Sequence, residues 1–422
     1  MIKTLAPGER YGEVRIPSSK SVVHRLLICA ALGGNEVTIR YDGLSRDIMA
    51  TADCLAALGA EIRRTEHELY VTPIDGRSGT EKAVLPTGES GSTLRFLIPA
   101  AGALGRRADF IMEGRLAERP MAPFDRLLEE HGMALKREGQ ILHCEGQLEG
   151  GLFALPGNIS SQYFSGLLMA LPKLGCDSRL QTEGEMESAA YVQLTEEVLK
   201  AAEIRFDREN ATTWTILGKQ IPRLPDTVSA EGDWSNAAFF LCAAALSERG
   251  IRVSGLNPAS GQGDREILRI LREFGAEVSV EEESVSVRQG CRRPIEVDAM
   301  AIPDLVPVLA VLCCSADGTS RITGAARLRW KESDRLQTTT ALIRSLGGEA
   351  EEQQDGIVIH GCGRLRGGTA ETFNDHRIAM SAAAASVFCE EPVTVLGAEC
   401  VGKSYPAFWR DFEALKQAGS PE

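Results

Sequence analysis

Lysine, arginine and hydroxyl side chains gather at or near the starts of several apolar stretches of this 422-residue chain. In PSSKSVVHR (17–25), Ser21 and Arg25 are four apart and share a helix face, with Ser18 or Ser19 expected to cap the helix. Lys20 falls in the opening turn, where the helix dipole disfavours a cation. A lysine there makes sense if it faces an anion, although a solvated surface lysine would read the same. In TGESGSTLRF (87–96), Gly91 allows close backbone approach. The G-K-[ST] of a phosphate loop is missing, and an ordinary capped turn fits as well. PGNISSQYF (156–164) joins Ser160, Ser161 and Gln162 at a helix start, which suits either phosphate and hydroxyl recognition or capping. RLRWKESDRL (327–336) is denser: Lys331 and Arg335 at four-residue spacing share a face, Glu332 stands beside Arg335, and Ser333 is the candidate cap. A carboxylate held among cations can carry a proton, whereas a surface ion pair would do little. NDHRIAM (374–380) opens an apolar helix with His376 and Arg377; an arginine entering a core needs a bound anion or an internal carboxylate as partner. Arg119 in AERPMAP, Lys403 in VGKSYP and Asp304 in AIPDLVP say little singly. If these segments converge, they make an anion site with a proton carrier inside it.

The elements that would position these groups repeat. A polar helix start followed by an Ala- and Leu-rich run recurs at 19–21, 91–93, 160–162, 233–235, 303–304 and 374–376, at intervals of roughly 70 residues. A second, amphipathic helix follows each of the first five and ends in a recognisable stop: LAALGAEI (55–62), LLEEHGMAL (127–135), VLKAAEIRF (198–206), LREFGAEV (271–278) and IRSLGGEA (343–350). A sixth such ending, FEALKQAG (412–419), closes the chain. Four of the five have Gly where a helix end needs a left-handed residue, and the third has Ala. Alternating strands follow, as in VSVEEESVSVR (278–288). Each unit reads strand, helix, strand, helix, strand, strand. The first helices are apolar all round and should be buried; the second should lie outside. A unit of this size buries its apolar helix poorly alone, so three units around shared helices, in two lobes with a cleft between, are expected.

Composition narrows the function. Net charge is -13, which repels nucleic acid and anionic membrane, so cations for an anionic substrate must be concentrated locally. No apolar run is long enough to span a bilayer, and the first residues lack the apolar stretch of a signal peptide. The eleven cysteines are scattered without C-x-x-C, which reads as reduced, cytoplasmic thiols. The six histidines are dispersed, no metal motif appears, and G-x-S-x-G is absent.

The ordered series KSVVHR, GESGSTLRF, AERP, GNISSQ, KESDR, NDHR and the late Lys403 resembles the 5-enolpyruvylshikimate-3-phosphate synthase family along nearly the whole chain. Each motif is modest; their order and intervals are specific. The resemblance implies an α/β (α+β) fold, a two-lobed inverted α/β barrel of six βαβαββ repeats, three per lobe around buried helices. One lobe would hold 1–18 plus 230–422, the other 19–229, with the active site in the interdomain cleft. It implies enolpyruvyl transfer from phosphoenolpyruvate to the 5-hydroxyl of shikimate 3-phosphate, in the route to chorismate and aromatic amino acids. No cofactor or metal, no nucleic acid and no membrane is implied, and a cytoplasmic monomer is expected. By the same resemblance Lys20, Ser21, Arg25, Ser160, Ser161, Gln162, Ser188, Asp304 and Lys331 would hold shikimate 3-phosphate, with Tyr191 packed nearby. Lys20, Gly91, Arg119, Gln162, Arg335, Arg377 and Lys403 would hold phosphoenolpyruvate. Asp304 would be the base, and Glu332 or Lys20 the proton donor. The chain departs from the family pattern at Ser18, Glu89, Ser92, Phe96 and Arg327. Two other readings share the fold: a transferase acting on UDP-N-acetylglucosamine, for which AERPMAP lacks the expected Cys, and a non-catalytic anion-binding protein.

Overall fold

The computed structural model describes residues 1–75 and 82–417. It divides into two compact units: Ser18–Ala230, here the inserted unit, and Met1–Pro17 with Glu231–Glu422, the flanking unit. The chain passes between them at 17/18 and 230/231. Ser18 sits at the first passage and spends its hydroxyl there, donating to the Ala230 carbonyl at 3.1 Å and accepting from the Asp42 N–H at 2.9 Å. It therefore does not cap a helix. Ser19 occupies the N-cap position without a side-chain cap bond.

Two α-helices serve each repeat. They are α1 (Lys20–Ala31) and α2 (Arg46–Ala57), α3 (Gly91–Ala103) and α4 (Phe124–Glu130), and α5 (Ser161–Ala170) and α6 (Ala189–Ala201) in the inserted unit. The flanking unit has α7 (Trp234–Ala245) and α8 (Ile267–Phe274), α9 (Val306–Cys313) and α10 (Arg335–Ser345), and α11 (His376–Ala385) and α12 (Phe408–Ala414). The apolar first helices are buried as their composition requires: every residue of α9 and α11 is buried. At roughly 1.5–3 kcal/mol per buried Leu, Ile or Val side chain, these helices supply much of each core.

The strands obey one topology. In the second repeat Ala83–Gly88 runs parallel to Ala108–Met112, which pairs antiparallel with Ile141–Gly146, which pairs antiparallel with Met133–Glu138. Two repeats borrow their first strand from elsewhere in the chain. Thr227–Ser229 lies parallel to Val37–Arg40 in the first repeat, and Arg10–Arg15 lies parallel to Ile251–Ser254 in the fourth. The sixth repeat is shorter: Gly368–Glu371 and Val393–Leu396 are joined by the N-terminal strand Ile2–Leu5. Residues 418–419 of the expected sixth helix ending lie outside the described residues; α12 stops at Ala414 and Lys416–Gln417 pairs with the strand Arg10–Arg15.

Beyond α1, helix ends follow the sequence with two exceptions. Ser90, Ser160, Asp233 and Asp375 accept from backbone N–H groups at the starts of α3, α5, α7 and α11. Ahead of α10 the cap is Asp334, not Ser333, whose hydroxyl instead donates to Asp375 at 2.9 Å. After α2, α4, α8 and α10 the left-handed residues are Gly59, Gly132, Gly275 and Gly347. After α6 the equivalent residue is Glu203, with φ 59°, one step beyond the Ala202 helix end. A side chain in that region is strained by about 1 kcal/mol, so Glu203→Gly is expected to raise the urea midpoint by that equivalent. Gly275→Ala should lower it by more, because a Cβ there would meet the Cys291 carbonyl at 2.3 Å.

Candidate active site

In the inserted unit the candidate residues form two connected groups. The first surrounds α1. Lys20 is its first residue, and its Nζ lies 2.7 Å from Asp47 Oδ2 of α2. Arg25 is 2% exposed. Its Nε donates to Thr195 Oγ1 at 2.7 Å, and its two terminal nitrogens donate to the Ser21 carbonyl at 2.6 Å, the Tyr191 carbonyl at 2.7 Å and Ser165 Oγ at 3.1 Å. Its guanidinium also lies 5.1 Å from the centre of the Phe96 ring. No carboxylate among the described residues pairs with Arg25. Burial lowers its pKa to about 10, which still leaves it charged at neutral pH. Ser188, at the start of α6, holds a left-handed backbone (φ 54°, ψ 43°), a local strain of the kind that accumulates at functional sites.

The second group surrounds the start of α3. A Cβ on Gly91 would lie 3.0 Å from an Arg119 terminal nitrogen and 3.1 Å from an Arg95 terminal nitrogen, a tight approach to which either guanidinium would have to yield by a few tenths of an ångström. Arg95 donates to Gln162 Oε1 at 2.6 Å, and Gln162 Nε2 donates to Ser92 Oγ at 2.9 Å. Gln162 follows Ser160 and Ser161 at the start of α5, so that helix start and the α3 start are tied together. Arg119 closes the turn Gly114–Glu118, anchored where Tyr163 of α5 donates to the Pro120 carbonyl at 2.9 Å. Arg95 was not singled out in the sequence, although its four-residue spacing from Gly91 on a helix was a usable signal.

In the flanking unit Arg335 and Arg377 are paired with carboxylates. Arg335 is 1% exposed and meets three carboxylates: Asp304 at 2.8 Å, Glu332 at 2.6 Å and Asp375 at 2.8 Å. Arg377 reaches the other Asp304 oxygen at 3.0 Å and donates to the Asp304 carbonyl at 3.2 Å. Burial alone would raise the Asp304 pKa; Arg377, Lys331 and Arg335 outweigh it and hold the carboxylate well below its ordinary range. Lys331 is not on a helix with Arg335. It is extended (φ -89°, ψ -158°) between the turn Ala326–Trp330 and α10, because Asp334 places the helix start after it. Burial lowers its pKa to about 8 despite the opposing Asp304 charge, with Arg327 and Arg335 lowering it further. Lys403 is buried in the turn Ala398–Lys403, which packs on α11. Asp375 both caps α11 and binds Arg335, and the residues before it, Phe373 and Asn374, are left-handed.

Asp264 was not foreseen: an acid in a glycine-rich turn carries no spacing signal. It is buried, accepts from Ser235 Oγ, and is raised to about 7 by burial and by Asp304, against the pull of Arg377. No group of three His, Cys, Asp or Glu able to hold a metal ion occurs among the described residues. Together the flanking cluster can hold or move a proton beside cations, and the inserted unit can hold anions.

Comparisons with known proteins agree over almost the whole chain. The family model for EPSP synthase (3-phosphoshikimate 1-carboxyvinyltransferase) matches residues 6–412. A 3-phosphoshikimate 1-carboxyvinyltransferase of Clostridium kluyveri is 41% identical over 416 residues, covering 98% of this chain and 96% of that protein. The enzyme of the same description from Clostridium acetobutylicum is 41% identical over 413 residues, covering 97% and 95%. Among solved structures, EPSP synthase from Acinetobacter baumannii superposes with a TM-score of 0.80 at 25% identity, covering 98% of this chain and 97% of that one. The paired βαβαββ repeats are thus the architecture of a known enzyme group, and this chain belongs to the EPSP synthase (3-phosphoshikimate 1-carboxyvinyltransferase) family.

Proposed function

We propose that this chain transfers the enolpyruvyl group of phosphoenolpyruvate to the 5-hydroxyl of shikimate 3-phosphate and releases phosphate, as a cytoplasmic monomer. The observation that carries the reading is Asp304, an ionised carboxylate bracketed by Arg335 and Arg377 beside Lys331. Each unit supplies what the other lacks. The inserted unit contributes cations and hydroxyls for the phosphate of shikimate 3-phosphate: Lys20, Ser21, Arg25, Ser160, Ser161, Gln162 and Ser188. The flanking unit contributes Lys331 and the acid–base pair Asp304 and Glu332. Phosphoenolpyruvate is held by Lys20, Gly91, Arg119, Gln162, Arg335, Arg377 and Lys403, where guanidinium forks match carboxylate and phosphate oxygens.

The 5-hydroxyl oxygen attacks C2 of phosphoenolpyruvate and passes its proton to Asp304, while C3 accepts a proton from the Lys20 ammonium or from Glu332 in its protonated, carboxylic acid form. The tetrahedral adduct then loses a C3 proton and expels phosphate, restoring the double bond in the product. Asp304 bound to two arginines is a weak base. The arginines that bind it, Arg335 and Arg377, are among the residues assigned above to phosphoenolpyruvate, an anion with a carboxylate and a phosphate. A bound substrate carboxylate shares their charge, so the proton affinity of Asp304 rises when the base is needed.

Three outcomes are expected. Protein mixed with shikimate 3-phosphate and phosphoenolpyruvate should release phosphate and give product of the enolpyruvyl ether mass; turnover only with UDP-N-acetylglucosamine would overturn the substrate assignment. Asp304→Asn should lower kcat by about 10²–10⁴-fold, and near-normal turnover would remove it as the base. Lys331 binds an anion only when protonated, so KM for shikimate 3-phosphate should rise with pH above about 8, by about tenfold per unit. Lys331→Arg, which stays charged, should flatten that limb in steady-state pH profiles.

A further inference from the structure

A buried polar chain lies behind Lys20. Thr93, in the first turn of α3, donates from Oγ1 toward Ser90 Oγ at 2.7 Å and the Asp47 carbonyl at 3.3 Å. Its single proton is thereby used, so Thr51 Oγ1, 2.7 Å away, is the donor to Thr93. Thr51 must then accept from His24 Nδ1 at 2.7 Å, which makes His24 the Nδ1–H tautomer. Burial, with the charges of Lys20 and Arg25, keeps the His24 ring neutral and consistent with that role. His24, Thr51 and Thr93 are each at most 1% exposed, so solvent does not substitute for these bonds. The chain joins three helices: His24 on α1, Asp47 and Thr51 on α2, and Thr93 on α3.

The Asp47 carboxylate completes the arrangement. It stands in the first turn of α2, where the helix dipole favours an anion, and lies 2.7 Å from the Lys20 ammonium. Lys20 occupies the first turn of α1, where the dipole disfavours a cation. Asp47 therefore offsets the one local cost of placing a lysine there and holds its ammonium in place.

We propose that Asp47 is a positioning residue for enolpyruvyl transfer, fixing the Lys20 ammonium, and that the His24–Thr51–Thr93 chain sets Asp47 relative to the Gly91 end of α3. The inference rests on the role given to Lys20 above. Lys20 and Gly91 are then held as one preformed pair of contacts rather than as two independent ones.

The test compares Lys20→Ala, Asp47→Asn, Asp47→Glu and Thr51→Val by steady-state kinetics with both substrates, with Tm and far-UV circular dichroism on each. Asp47→Asn is expected to lower kcat/KM for phosphoenolpyruvate by roughly tenfold to a hundredfold at unchanged fold content, with partial recovery in Asp47→Glu. Thr51→Val, which keeps the shape and removes the hydroxyl, should reproduce a smaller loss in the same parameter. If Lys20→Ala abolishes turnover while Asp47→Asn and Thr51→Val stay within twofold of the parent, the positioning inference is wrong and the role of Lys20 stands. If Lys20→Ala is also active, the assignment of Lys20 itself fails. A loss in Asp47→Asn that merely tracks a lowered Tm, without recovery in Asp47→Glu, also counts against the proposal.

Discussion

One guanidinium organises the flanking unit. Arg335 is almost fully buried and binds carboxylates from three segments: Asp304 ahead of α9, Glu332 ahead of its own helix, and Asp375 at the start of α11. Removing it would leave those acids buried without their common partner; breaking one buried pair typically costs about 3–5 kcal/mol. Asp375 shows how tightly the parts depend on one another. The same carboxylate caps α11, accepts from Ser333 and binds Arg335, so the direction of α11 and hence of Arg377 follows from the Arg335 position. A net-acidic chain can thus keep arginines charged inside a core by surrounding them with its own carboxylates.

The inserted unit solves the same problem differently. Arg25 is equally buried, yet its partners are hydroxyls and backbone carbonyls, which satisfy its N–H groups without cancelling its charge. The contrast has chemical content. A cluster of carboxylates among cations is suited to moving a proton, because a change in the charge around a carboxylate shifts its proton affinity. A cluster with residual positive charge is suited to holding a phosphorylated substrate. The two units share a topology and differ in what surrounds their arginines.

Glycine and strain mark where the repeats were adapted. Gly91 is the place where a side chain would crowd the guanidinium groups of Arg95 and Arg119. Ser188, Phe373 and Asn374 hold left-handed backbone next to candidate site residues. Glu203 holds it where four other repeats use glycine, and it is assigned no role here, which makes it a structural cost without an evident return.

Much of this was legible in the residues. Burial of the first helices followed from their being apolar nearly all round, the repeat length from the recurring polar helix starts, and most left-handed helix ends from glycine, because each is set by forces acting within a few residues. The pairing of Glu332 with Arg335 was readable for the same reason. Local rules failed where a side chain had a stronger partner elsewhere. Ser18 left its helix for Ala230, Ser333 left the cap for Asp375, and Lys331 fell outside the helix it was expected to share with Arg335. Asp264, Asp47 and Arg95 gave little or no sign of their partners, which come from other helices and turns. The sequence by itself determined the repeats, their helices and the stock of charged groups, since those depend on neighbours along the chain. Only the tertiary structure decided which carboxylate neutralises which cation, because that depends on distances between segments far apart in sequence and on the water excluded between them.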